Sequence, residues 1–261
     1  MKISEEINTM VKLEELMNNE ATFQKMSMMK LTGMANAFRN MIDCGLLKDM
    51  SISEALSHLI DSEYDDRYNK KLARLISDAR FRFNTDISQI TYQKSRNINK
   101  DTILGLSDCN WIKKGENVLI TGATGVGKSF IACALGNNVC VNGYKAVYYN
   151  AMKLFSELKL AKSDGSYSKY LSRILRSDLV ILDDFGLHPM DNLSSMILLE
   201  ILEDRYDRKS ILITSQYPVK TWFELIPDKT YADAICDRII HKSVKIELGG
   251  DTMRKKINSD S

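Results

Sequence analysis

The chain has 261 residues, with 36 Lys plus Arg against 34 Asp plus Glu, 44% hydrophobic residues and 3 Pro. This composition excludes collagen-like, mucin-like and wholly disordered chains, and the length fits one large domain or two modest ones with a real core. A net charge of +2 is too small to argue for a nucleic-acid partner, so any such case must come from how charge is distributed. The longest purely aliphatic run, Leu179-Val180-Ile181-Leu182, is far short of the ~20 residues that cross a bilayer, and the start Met1-Lys2-Ile3-Ser4 has no charged-then-apolar signal pattern. The expectation is a cytoplasmic protein with no membrane partner. Cys44, Cys109, Cys133, Cys140 and Cys236 form no CxxC pair, and His58, His188 and His241 have no ligand spacing, so neither a zinc cage nor a disulfide framework is expected.

From Met1 to about Asp108 the chain is rich in Met, Leu, Ala, Glu and Lys and shows helical spacing, which predicts a helical N-terminal domain over residues 1–108. Ser51 with Glu54 close behind marks a helix start, after which Ala55, Leu56, Leu59 and Ile60 share one side. Between Tyr64 and Arg82 two stripes separate by face. Arg67, Lys70, Lys71 and Arg74 recur at helical spacing, as do Leu72, Leu75, Ile76 and Ala79. A solvated helix face accounts for the cations. So does a face that contacts nucleic acid, since Arg80 and Arg82 continue the charge beside Phe81 and Phe83. Residues 84–100 read as an irregular connector.

From about Asn110 short aliphatic runs alternate with helical stretches, the pattern of a parallel sheet with crossover helices, here assigned to a second domain over residues 109–261. Strands are predicted at Asn117–Thr121, Lys145–Tyr149, Asp178–Leu182 and Ser210–Thr214. Helices are predicted at Lys128–Val141, Met152–Leu160, Ser166–Leu175 and Ser194–Arg208.

Gly122-Ala123-Thr124-Gly125-Val126-Gly127-Lys128-Ser129 lies between a strand and a helix, where GxxxxGK[ST] binds a nucleotide triphosphate. Glycines let the backbone wrap a phosphate while N–H groups and the helix N-terminus point at it. The predicted ATP contacts run from Gly122 through Phe130, with Lys128 on the β- and γ-phosphates and the Ser129 hydroxyl on Mg²⁺. Leu179–Leu182 then delivers Asp183 and Asp184 to the C-terminal end of a buried strand. Asp183 is assigned to Mg²⁺ through water, and Asp184 to orienting or deprotonating the attacking water. Ser215-Gln216 ends the fourth strand and serves either as γ-phosphate sensor or as strand cap. Arg238 and Arg254 are late arginines whose roles the local sequence leaves open.

These residues together resemble the IstB family of AAA+ helper ATPases from bacterial insertion sequences, and the second half is similar to the helicase loaders DnaC and DnaI. The resemblance to IstB rests on Lys30-Leu31-Thr32-Gly33-Met34-Ala35, the segments around Ala73-Arg74 and Ala79-Arg80-Phe81, Leu182-Asp183-Asp184-Phe185-Gly186, Arg205-Tyr206, Thr214-Ser215-Gln216, Asp233-Ala234-Ile235-Cys236-Asp237-Arg238 and Gly250-Asp251-Thr252-Met253-Arg254-Lys255. It implies an α/β P-loop NTPase fold of the AAA+ type, lidless because the chain ends soon after Lys256, behind an α-helical N-terminal domain. It implies that Arg238 is an arginine finger acting on ATP of a neighbouring subunit, that Arg254 is the sensor-2 arginine, and that Ser215 and Gln216 occupy sensor 1, where related loaders carry Asn. Its partners would be duplex DNA, an IstA-type transposase and further copies of itself in a ring or helical assembly. A helicase loader in replication is the alternative; a metabolic P-loop kinase would need an acceptor site and mobile lid that the sequence does not display.

Overall fold

The aliphatic runs pair into one parallel sheet of five strands: β1 (Asn117–Gly122), β2 (Ala146–Asn150), β3 (Leu179–Phe185), β4 (Ser210–Ser215) and β5 (Ser243–Leu248), in the order β2-β3-β4-β1-β5. The computed structural model describes residue 10 and residues 17–253. Central strands β1, β3 and β4 are buried on both faces, which is why their sequences are nearly unbroken aliphatic runs. β5 is an edge strand in which Ile246 and Leu248 are buried while Lys245 and Glu247 are exposed. Helix Lys128–Val141 covers one face, with Gly136 so close to the sheet that a Cβ there would stand 2.7 Å from Ile181. Helices Ala151–Asp164, Tyr167–Leu175, Asn192–Arg205 and Lys229–Ile240 close the other face around Leu119, Val180, Leu182, Ile211 and Ile213. Among the described residues no helix is long and apolar enough to cross a membrane.

Local chemistry sets the helix ends. Asp191 caps Asn192–Arg205 by accepting from the Ser194 N–H at 2.9 Å, starting that helix two residues before the expected Ser194. Asn150 caps Ala151–Asp164 through the Lys153 N–H, and Gly165 ends it at φ 79, four residues beyond the expected stop.

The chain divides into compact units Met1–Ala73 and Arg74–Ser261. The division falls within helix Ile52–Ala79, upstream of the boundary expected at residue 108. Residues 80–108 belong with the second unit because they bond to its P-loop helix: Asn137 Nδ2 donates to Thr85 O at 2.7 Å and Asn138 Nδ2 to Ser107 O at 2.8 Å.

The first unit contains a helical stretch over residues 17–28, helix Thr32–Asp43 and the start of helix Ile52–Ala79. Ser51 and Glu54 form the expected reciprocal cap, with N–H donations of 2.8 and 3.3 Å. A Cβ on Gly33 would lie 2.3 Å from Ser62 O, so glycine permits the close approach of the two helices. Around that contact Thr32 Oγ1 donates to Asp66 at 2.8 Å and the Met34 N–H to Glu63 at 3.1 Å. This explains the Thr32-Gly33-Met34 motif. It also turns Ser62, Glu63 and Asp66 inward, leaving Leu56 and Ile60 about half exposed.

Arg205 fastens the lower edge of the second unit. Its guanidinium is buried and donates to the carbonyls of Ile174, Ser177, Asp178 and Ser210 at 3.3, 3.0, 3.0 and 2.7 Å, binding the segments that lead into β3 and β4. Burial lowers its pKa to about 10, still well above neutrality. Arg205→Ala is expected to lower stability by roughly 3–5 kcal/mol, since it leaves buried acceptors and a void; an unchanged urea midpoint would contradict this.

Candidate nucleotide site

β1 ends at Gly122, and the chain crosses to helix Lys128–Val141 through Gly125 at φ 85 and Gly127 at φ 97. Side chains are excluded there twice over. The conformation favours glycine, and a Cβ would stand 2.1 Å from Thr252 Oγ1 at Gly125 and 2.5 Å from Arg96 Nη2 at Gly127. Carbonyls of the loop are held by the segments behind it: Gly125 O accepts from the Met253 N–H at 2.9 Å and Val126 O from Arg96 Nη2 at 2.9 Å. Arg96 is itself buried, donates to Thr91 O and Oγ1 at 3.1 and 2.9 Å, and is depressed in pKa by that burial. Lys128 Nζ donates to the carbonyls of Gly122 and Ala123 at 2.8 and 2.9 Å, keeping the ammonium on the loop.

Asp183 is fully buried. Its Oδ1 accepts from Ser129 Oγ at 2.8 Å and from Thr214 Oγ1 at 2.5 Å, and its Oδ2 from the Tyr148 hydroxyl. Burial, reinforced by that bond, raises the Tyr148 pKa, so the phenol is a neutral donor at physiological pH. Asp184 follows at φ 59, within a register irregularity between β3 and β4, and its side chain remains 22% exposed. Thr214 joins the two acids, donating to Asp183 while accepting the Asp184 N–H at 3.0 Å.

A cleft of about 1170 Å³ brings Thr124, Gly125, Gly127, Lys128, Ser129, Phe130, Asp184 and Gln216 together. Ser215 takes the cap role: its buried hydroxyl donates to Phe185 O at 2.8 Å and accepts from the Tyr217 N–H at 3.1 Å, so Gln216 is the member of the pair that lines the cleft. Arg238 lies elsewhere. Its backbone carbonyl accepts from Asn117 at the start of β1, the end opposite the phosphate loop, roughly 17 Å away at ~3.3 Å per residue. Its guanidinium bonds Glu203 at 2.5 Å and Ala234 O at 3.0 Å. Arg254 lies outside the described residues.

On helix Ile52–Ala79, Arg67 pairs with Glu63 at 2.6 Å, Lys70 with Asp66 at 2.7 Å and Arg74 with Asp78 at 3.7 Å, so acids of the same helix offset much of the expected basic stripe. Arg80 ends the helix at φ 55 and is exposed. Arg82, grouped with the DNA contacts on sequence, instead lines the cleft beside Asp183 and Asp184 because the chain turns at Arg80. Sequence reasoning missed Tyr148, Thr214 and Arg96. Only Thr214 left a signal, as the first residue of the Thr214-Ser215-Gln216 segment that carries the family resemblance.

These residues fit a triphosphate and Mg²⁺. The loop glycines and Lys128 suit the phosphates, and Ser129 with Asp183 gives oxygen ligands 2.8 Å apart beside them. The loop after β1, the acids near the C-terminal end of β3 and the β2-β3-β4-β1-β5 order define a P-loop fold of the AAA+ type. The chain belongs to the IstB-like ATP binding protein family, whose sequence pattern matches residues 24–261. It is 40% identical over 234 residues, 90% of this chain and 96% of the relative, to insertion sequence ATP-binding protein y4pL of Sinorhizobium fredii. It is 33% identical to the insertion sequence IS1162 ATP-binding protein of Pseudomonas fluorescens, covering 78% of this chain and 89% of that relative. In fold it is similar to the DnaC helicase loader, with TM-score 0.56, 21% identity and coverage of 64% of this chain and 97% of that one. AMPPCP-bound DnaA from Aquifex aeolicus gives TM-score 0.56 at 17% identity, covering 69% and 55% respectively.

Lys128→Ala is expected to weaken ATP binding at least tenfold, and unaltered affinity by calorimetry would remove the lysine from its role. Thr214→Val keeps the shape but strips a donor from Asp183 and an acceptor from Asp184. A stability loss of roughly 1–3 kcal/mol is expected; a denaturation curve superimposable on the parent would show the bridge to be dispensable.

Proposed function

We propose that this protein hydrolyses ATP to ADP and phosphate, assembles with copies of itself on duplex DNA, and presents that DNA to the transposase of its insertion sequence, stimulating insertion. The observation that carries hydrolysis rather than passive binding is the unequal deployment of two adjacent acids. Asp183 is buried under three hydroxyl donors, as a fixed metal ligand needs to be, whereas Asp184 opens to the cleft where a water can reach it. In this reading Lys128 and the loop bind the phosphates, Ser129 and Asp183 hold Mg²⁺, Asp184 orients the water and Gln216 reads the γ-phosphate. Mg²⁺ supplies charge neutralisation on the phosphates.

Arg238 is the arginine supplied in trans. Its placement at the end of the sheet away from its own phosphate loop supports this, because a residue so placed is of use to another copy's nucleotide. Arg254 is proposed as a second phosphate-sensing arginine on the family resemblance alone. Relatives named as insertion sequence ATP-binding proteins favour transposition over helicase loading, since the likeness to DnaC is one of fold. The cytoplasm, where the DNA is, is the proposed location. Arg67, Lys70, Lys71, Arg74 and Arg80 are proposed to meet phosphates, a binding mode with little sequence preference.

Asp184→Asn is expected to retain ATP binding while lowering turnover on the order of 100-fold; parent-like turnover would remove Asp184 from the chemistry. Mixing Arg238→Ala with Lys128→Ala subunits should restore part of the activity each lacks alone, and failure at every ratio would contradict a shared site. Neutralising the basic residues should reduce the slope of log affinity for duplex DNA against log salt by about 1 for each cation that leaves its carboxylate for a phosphate. An unchanged slope would make the stripe a solvated face.

A further inference from the structure

Among the described residues, the roles above leave Arg82 as a cation of the cleft without a task. Arg82 Nη1 stands 3.5 Å from Asp183 Oδ2 and 3.7 Å from Asp184 Oδ2, with its side chain 44% exposed. The backbone around it is anchored on both sides to helix Lys128–Val141. Phe81 packs so tightly there that a Cβ on Gly136 would lie 2.6 Å from its ring, and the Phe83 ring is 6.2 Å from that of Phe130. Arg82 Cζ also lies 5.5 Å from the Phe83 ring centroid, a cation–π distance. With its neighbours held, movement of the Arg82 guanidinium toward the acids or away from them falls to its side chain.

Asp183 Oδ1 is occupied by Ser129 and Thr214, and Oδ2 by Tyr148. Arg82 therefore draws on the same carboxylate charge that a metal ion held by Ser129 and Asp183 needs. Two positive groups sharing one carboxylate pair repel each other, so tighter hold on one weakens hold on the other. We propose that Arg82 competes with Mg²⁺ for the Asp183–Asp184 pair and sets the metal concentration at which the cleft grips its nucleotide. The inference rests on the reading that this cleft takes ATP with Mg²⁺, and it adds the residue that regulates that step.

The full chain can be titrated with free Mg²⁺ in the presence of a fluorescent, non-hydrolysable ATP analogue, recording the half-saturating metal concentration. Arg82→Gln is expected to lower that concentration on the order of threefold to tenfold, the effect of releasing a partly exposed ion pair, whereas Arg82→Lys, which keeps the charge, should stay within about twofold of the parent. Arg82→Met repeats the test with an uncharged stem should the glutamine variant fail to fold. A purely structural role would move the melting temperature and leave the metal midpoint in place. An unchanged or raised midpoint in the folded uncharged variants overturns the competition. Absence of analogue binding to the parent at any metal concentration would instead overturn the nucleotide reading beneath it.

Discussion

A carboxylate with no exposure to water must be answered from within the protein, and in this molecule the answer to Asp183 organises the nucleotide-binding half. Leaving that charge unpaired would cost several kcal/mol. Its donors come from β2 through Tyr148, from β4 through Thr214 and from the P-loop helix through Ser129. Three elements must therefore stand in one register against β3. A one-residue slip of any strand would turn its donor to the opposite face of the sheet. The register that satisfies Asp183 also brings the serine hydroxyl beside the phosphate loop, so fold and site are specified by the same hydrogen bonds.

The phosphate loop depends on a further set of contacts that lie outside the motif. Its glycines accept no side chain because Thr252 and Arg96 press against them, and the carbonyls of Gly125 and Val126 are held by Met253 and Arg96. Arg96 is a buried cation bonded to carbonyls, and it adds positive field behind a loop whose ligand is an anion. Gly249 N–H in turn donates to Arg96 O at 3.0 Å, tying the segment after β5 to the one before the P-loop domain's first strand. Shape and field of the loop thus come from Arg96, thirty positions before Val126, and from Thr252 and Met253, more than a hundred positions after the loop.

This division explains what the sequence made legible. Central strands were readable because burial on both faces demands unbroken aliphatic runs, and Gly122–Ser129 and Asp183-Asp184 because their chemistry needs those residues at fixed local spacing. β5 escaped because an edge strand shielded on one face alternates Val244, Lys245, Ile246 and Glu247 in a stretch too short to stand out beside a helix. Gly250-Asp251-Thr252-Met253 stood out as part of the family resemblance, but without β5 its packing against the loop was not legible. Tyr148 and Arg96 act through contacts between distant segments, which periodicity does not encode. Arg82 was misplaced for a simpler reason: the left-handed residue at Arg80 ends the helix, and helical spacing ceases to describe where the next side chains point.

Arg238 gives the proposed reaction its dependence on company. It is held by Glu203 at the end of the sheet remote from the phosphate loop, and under the proposed function one copy brings a cleft and a finger that serve different nucleotides. Contact between copies, hydrolysis and hold on DNA then become linked equilibria. The most direct test is the ATPase rate per molecule measured across a wide range of protein concentration. Rates should rise from near zero in dilute solution to a plateau as copies meet. A rate per molecule that is high and constant down to the most dilute samples, where sedimentation shows single chains, would contradict the shared site.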